Sequence, residues 1–224
     1  PEGKGKKNEH PSHKVYLSAF FLDKYEVTFR DFEAYLAANL KKYPTITGWI
    51  DRKPRSDMIK KPIFGLQWER CRNYCSWRGK RMPTEAEWER AAKGKENRVY
   101  PWGNAEPDKK RANFGKCCFI NKGKVLTEVG HYENGMTPEG IYDLGGNVAE
   151  WVNDWYDKKY YHKTPYKNPQ GPKKGKYHVI KGGAWNSLPT YLRSSSRYGD
   201  NDAKDYYGIG CRCAKNAGLF YKTK

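Results

Sequence analysis

Three sets of residues in this chain are of types that do chemistry: six cysteines, five histidines and a glycine loop bearing carboxylates. The cysteines are Cys71, Cys75, Cys117, Cys118, Cys211 and Cys213. Neither Cys71/Cys75 nor Cys211/Cys213 has the two-residue gap common at zinc sites, and adjacent Cys117 and Cys118 are poorly placed to grip one ion together. Disulfides and buried thiols both remain open, with a metal least favoured. The histidines, His10, His13, His131, His162 and His178, include no pair at His-x-x-x-His spacing, so each reads as a surface residue. In "YDLGGNVAEW" two glycines permit a tight backbone path between Asp143 and Glu150. Their carboxylates, with carbonyls from the turn, form an all-oxygen donor set of the kind calcium takes. The same loop can instead be braced by hydrogen bonds from Asn147 and Glu150.

The elements that must position these groups are few. Residues 28–43 predict a helix: Thr28 and Asp31 have capping-box spacing, and Phe29, Phe32, Leu36 and Leu40 recur at helical intervals. Residues 66–78 predict a second, with Trp68, Cys71 and Cys75 on one face and Gly79 as the stop. "MPTEAEWERAAKG" predicts a third, with Thr84 as cap, Glu87 closing the box and Gly94 past the end. "VYLSAFFLDKYEVT" predicts strands turning near Asp23 and Lys24, and "HVIKGG" and "GIGCRCA" predict strands. Beyond Gly94 the helical signal stops, and no period of repeat length occurs. The expected class is α+β, one domain over 15–224 after a polar tail at 1–14.

Aromatics make up 15% of the 224 residues, enough to carry a core that the aliphatics alone would not fill. The net charge is +18, and residues 158–176 hold seven lysines and no acid. Such a balance suits anionic partners, although the plain reading of the run is a solvated lysine face. Residues 186–210 are neutral, with Arg193, Arg197 and Lys204 against Asp200, Asp202 and Asp205. No apolar stretch is long enough to span a membrane.

The segment 184–210 has a peculiar alphabet between two hydrophobic anchors. Asn186, Ser187, Thr190, Tyr191, Ser196, Tyr198, Gly199, Asp200, Asn201, Asp202, Asp205, Tyr206 and Tyr207 are of the types that antibody paratopes favour. Tyrosine offers a large contact face with few rotors to freeze, and serine and asparagine bond adaptably. These positions are expected to form a ligand-binding surface, with Trp185, Ile209 and Arg212 structural.

"RMPTEAEWERAAKG", "PWGN", "GIYDLGGNVAEWVNDWY", "IKGGAW" and "GIGCRCA", in that order, resemble the sulfatase-modifying-factor family, which includes formylglycine-generating enzymes. The resemblance covers residues 15–214 and implies a C-type-lectin-like α+β fold with little regular structure. It implies calcium held by Asp143, the carbonyls of Gly146 and Val148, and Glu150. A second family calcium site would begin at Asn113 and Phe114, but its later ligands are not matched. It implies a Cys75–Cys213 disulfide, beside which Cys71 and Cys211 are read as a neighbouring pair. The family's two copper-binding catalytic cysteines fall at Ser187 and Leu192, neither of which is a soft thiolate ligand. No catalytic residue and no copper are therefore expected, nor the histidine-rich site of iron-dependent members.

The fixed pieces "GGAW", "LRSS-R" and "GIG-R-A" further resemble the variable proteins of diversity-generating retroelements, and the Lys- and Tyr-rich background resembles treponemal ones. This likeness implies a displayed binding protein with protein or surface ligands of variable identity. It implies an extracellular or cell-surface location, with any lipid anchor supplied upstream of Pro1. Two other readings compete. A divergent formylglycine-generating-type oxidase is opposed by the missing cysteines. A binder of nucleic acid or a cell-envelope polymer is opposed by the neutral charge of 186–210.

Overall fold

The computed structural model describes residues 5–39, 49–50, 53–116, 125–200 and 208–218. In chain order the elements are β1 (Phe20–Leu22), α1 (Phe29–Asn39), β2 (Trp49–Ile50), β3 (Lys53–Pro54), α2 (Trp68–Trp77) and α3 (Glu85–Lys93). They are followed by β4 (Ala149–Trp155), β5 (His178–Lys181), β6 (Tyr198–Asp200), β7 (Ile209–Gly210) and β8 (Ala214–Asn216).

Helices α1 and α3 start where their caps predict, whereas α2 starts after Gln67 with no side-chain cap. Thr28 and Asp31 exchange bonds ahead of α1, at 3.0 Å from the Thr28 amide and 3.2 Å back to the Thr28 hydroxyl. Thr84 and Glu87 do the same at α3, at 2.8 and 3.2 Å. Each cap satisfies amide donors that the first helical turn cannot pair internally. Helix α1 ends at Asn39, and Leu40 lies outside the described residues.

The principal sheet has the order β6-β5-β4-β7, with β7 parallel to β4 and the other pairs antiparallel. The chain bends at Lys24 and Tyr25, close to the predicted turn, but strand β1 does not pair across that bend. It pairs antiparallel with β8, Phe20 opposite Asn216, so the first and last strands lie side by side. Strand β4 is buried on nearly its whole length. Trp151 packs in one cluster with Phe29, Phe64, Cys71 and Trp185, while Val152 packs in another with Trp88 and Val179.

A disulfide joins Cys75 of α2 to Cys213 just before β8. Cys71 and Cys211 are both buried and are not disulfide-bonded, which corrects the expected neighbouring pair. Cys117 and Cys118 lie outside the described residues. His178 is not a surface residue. It is buried between the rings of Trp68 and Trp155, at 3.9 and 3.7 Å between centroids, and burial lowers its pKa to about 4. The expected tail is also tied down in part. Asn8 donates to the Tyr156 hydroxyl and to the Arg197 carbonyl, and the Glu9 carboxylate is buried on Arg193.

Candidate functional site: an exposed turn on a charged frame

The segment that follows β5 is held from below. Trp185 is buried, its amide donates to the Asn147 carbonyl at 3.0 Å, and its carbonyl accepts from Lys116 at 2.8 Å. Gly183 has φ +70, and an added Cβ would lie 3.2 Å from both Leu192 and Tyr191, so the chain folds back on itself only with glycine here. The Ser187 hydroxyl accepts from the Ala184 amide at 2.9 Å and closes the turn. Asn186, Leu188 and Thr190 then stand exposed, Leu188 at 66%. A short 3-10 turn, Pro189–Tyr191, returns the chain to Leu192, which is fully buried on Tyr100 and Ala112. The half-buried Tyr191 ring meets Tyr198 edge-on at 5.8 Å, and the Lys6 ammonium lies 3.7 Å from its centroid.

The predicted surface therefore divides. Asn186, Ser187, Thr190 and Tyr191 form an accessible turn. Ser196 does not belong to it: the residue is 1% exposed and its hydroxyl finds no partner among the described residues. Tyr198 packs partly against the main core, and burial raises its phenol well above the ordinary range. Gly199 is a packing position, because a Cβ there would come within 2.5 Å of the Tyr156 ring. Asp200 is half-exposed at the end of β6. Asn201, Asp202, Asp205, Tyr206 and Tyr207 lie outside the described residues. Trp185, Ile209 and Arg212 are all buried, as expected.

Beneath the turn runs a set of charge pairs that periodicity could not reveal. Glu9 takes both Arg193 guanidinium nitrogens at 2.5 and 2.8 Å and the Ser195 hydroxyl at 2.9 Å. Arg193 also donates to the Thr190 carbonyl, which ties this pair to the exposed turn. Arg197 is buried on Glu85 at 2.6 and 2.8 Å, beneath the Tyr156 and Tyr161 rings. Buried Lys181 meets Glu89 at 3.0 Å. Burial opposes the Glu89 charge, but Lys181 and Lys93 outweigh it and hold the carboxyl at about 2. A groove of about 1360 Å³ opens beside this frame, lined among others by Glu9, Tyr161, Thr190 and Arg193.

The "YDLGGNVAEW" loop sits on a second buried cluster. Glu150 accepts from Arg212 at 2.7–2.9 Å and from the Trp88 indole at 2.7 Å. Asp143 accepts from the Gly130 amide at 2.7 Å. Glu26, which sequence reasoning missed, holds the Val148 amide and the Asn147 side chain. Three carboxylates are thus buried around this loop, and one of them, Glu150, is paired with a guanidinium. Burial raises Asp143 to about 6, and burial with the neighbouring acids raises Glu26 well above its usual range. This excess of acid fits a cation in charge. Among the described residues, however, no three His, Cys, Asp or Glu side chains gather to hold one. An ion here would need the carbonyls of Gly146 and Val148, as the resemblance implies, and would share Glu150 with Arg212.

The chain is 37% identical over 227 residues to a protein named serine/threonine-protein kinase pkn1 from Chlamydia caviae, covering 94% of this chain and 35% of that protein. It therefore spans about a third of that curated relative. It is 29% identical to the formylglycine-generating enzyme of Mus musculus, covering 92% of this chain and 68% of the enzyme. Among solved structures, PvdO from Pseudomonas aeruginosa superposes with a TM-score of 0.78 at 28% identity, over 97% of this chain and 89% of PvdO. Treponema denticola variable protein 1 superposes at 0.72 and 23% identity, over 91% and 86% of the two chains, and so shares the fold. The architecture is the α+β, C-type-lectin-like fold of the formylglycine-generating-enzyme type. The family model of the sulfatase-modifying factor enzyme 1-like domain matches residues 2–217, and the chain belongs to that family.

Proposed function

We propose that this chain is a non-catalytic member of its family that binds ligands, most of them proteins, through the surface around 186–191. The observation that carries the reading is the contrast between the exposed turn and its frame. Asn186, Leu188 and Thr190 face solvent, while Trp185, Leu192 and Arg197 beside them are buried. A frame of that kind lets tip residues change at little cost to the fold, because surface changes away from special features shift stability by about 0.5 kcal/mol or less. The fold shared with Treponema denticola variable protein 1 supports the same reading. Asp200 and the positions from 201 to 207 extend the proposed surface.

The absence of catalysis is part of the proposal. Ser187 and Leu192 stand where the family's catalytic cysteines are expected, and Leu192 is core. The competing reading is an oxidase of the formylglycine-generating type, favoured by the identity to those enzymes. The two separate cleanly. The protein is incubated with a cysteine-containing sulfatase peptide, with and without copper, and the peptide is weighed by mass spectrometry. No conversion is expected, and copper-dependent formylglycine would sink the non-catalytic reading. Sequencing the gene from several isolates tests the binding surface, since substitutions should concentrate at Asn186, Ser187, Thr190, Tyr191 and 200–207 and spare Trp185 and Leu192.

Calcium held at Asp143, Gly146, Val148 and Glu150 is proposed as a structural ion, supported by the excess of buried acid there. Location outside the cell or on its surface is proposed on the Cys75–Cys213 disulfide, which suits an oxidising compartment. Among the described residues, no helix is long and apolar enough to cross a membrane.

A further inference from the structure

The lysine run at 158–176 takes no part in the surface proposed above. Two residues, Tyr160 and Pro169, are buried and pin the segment down, while Gly171 abuts Asp154 and Gly175 abuts Trp155. The segment is thus laid over the end of β4, and its lysines point away from the body. All seven are exposed. Lys163 meets Asp157 at 2.9 Å. Lys158, Lys159, Lys167, Lys173, Lys174 and Lys176 have no acidic partner among the described residues. Charges left unpaired on this scale repel one another, and an anionic surface would relieve that.

A second observation specifies the partner. Tyr166 is 66% exposed and Tyr16 is 49% exposed, with ring centroids 6.5 Å apart. Their backbones are tied rigidly, by bonds of 2.7 Å from the Tyr16 amide to the Tyr166 carbonyl and 2.8 Å from the Asn168 amide to the Tyr16 carbonyl. The Asn168 side chain adds two bonds to Ser18. Two amphipathic rings are therefore held outward beside Lys167 and exposed Lys14.

We propose that this face docks on an anionic lipid bilayer, the lysines at the headgroup phosphates and the two tyrosines at the interface. Tyrosine suits a boundary that is apolar on one side and wet on the other. Lysine gives sequence-blind point charges, each contributing about 1 kcal/mol near an anionic leaflet. A nucleic-acid site would call on arginine forks or a slot for a base. The run contains no arginine, and the tyrosine rings are inclined at 33° rather than parallel.

The test is sedimentation of the protein with vesicles of phosphatidylcholine alone and of phosphatidylcholine mixed with phosphatidylglycerol. Binding is expected only to the mixed vesicles and should weaken with salt. Lys173→Gln, Lys174→Gln and Lys176→Gln together should lower the binding constant on the order of a hundredfold, about fivefold per lysine. Tyr16→Ser with Tyr166→Ser should weaken binding while leaving its salt dependence unchanged. Equal loss from a control set, Lys95→Gln, Lys109→Gln and Lys110→Gln, would mean that only bulk charge matters and would overturn the proposal. So would equal binding to both vesicles, absence of binding, or tighter binding to duplex DNA that ignores the tyrosines. Melting of every variant should match the parent, since all these positions are exposed.

Discussion

Glu9→Gln keeps the shape of the side chain and removes the charge that Arg193 faces. Arg193 then loses its partner in a site where the acid side chain is 3% exposed and the base 16%. The expected cost is about 1–3 kcal/mol by thermal or denaturant melting. Burial opposes the Glu9 charge, but bonds from Arg193 and Ser195 outweigh it and place the carboxyl below its ordinary range. The contribution is therefore present above the ordinary carboxylate range and is lost as pH falls through the lowered value. The stability gap between parent and variant should shrink below about pH 4. Glu150→Ala should cost more, about 3–5 kcal/mol, because it strands fully buried Arg212. That loss is expected with or without a metal, because Arg212 is stranded either way, so calcium is better tested by chelation. If the ion is bound, chelator should lower the melting temperature of the parent and not of Asp143→Asn. A hundredfold excess of calcium over its dissociation constant is worth about 2.7 kcal/mol.

The 184–200 element behaves as two kinds of residue in alternation. Trp185→Ala removes a buried ring that touches Phe64 edge-on at 5.9 Å, and should cost about 3–5 kcal/mol. Asn186→Ala, Leu188→Ser and Thr190→Ala should each stay within about 0.5 kcal/mol. Gly199→Ala should cost about 1–3 kcal/mol, because its Cβ would press on Tyr156. Circular dichroism and melting of the series check the division. The helices of this protein were legible in sequence, because caps such as Thr84 with Glu87 act over four residues. Strand β4 was not, since Glu150 and Asp154 are acidic residues buried in it, made tolerable by the distant Arg212, the Trp88 indole and the Glu85 amide. The site was half legible for the same reason. Residue type marks Asn186 and Thr190 as surface, but Ser196, Tyr198 and Gly199 share that alphabet while packing inward against partners far away in sequence. Asn8 and Glu9 escaped notice because a polar N-terminal stretch carries no periodic signal to show that it is clasped.

At the scale of the whole molecule, the Cys75–Cys213 bridge spans a sequence separation of 138 and joins α2 to the last strand. Reduction, or Cys75→Ala with Cys213→Ala, should cost about 2–5 kcal/mol. The loss should appear as a lower melting temperature with unchanged secondary structure at room temperature. The +18 charge is then a property of faces as much as of the sum: seven exposed lysines lie in one run, whereas the acids Glu9, Glu26, Glu85 and Glu150 are buried.

The pairing of β1 with β8 has a consequence for how the fold is completed. The first strand takes its sheet partner from the last, with Phe20 opposite Asn216. A chain still emerging during synthesis therefore leaves β1 with an open edge until residues 214–216 have appeared. An open edge is a template on which a strand of another chain can pair, so the closing strand guards this body against wrong partners as well as finishing it.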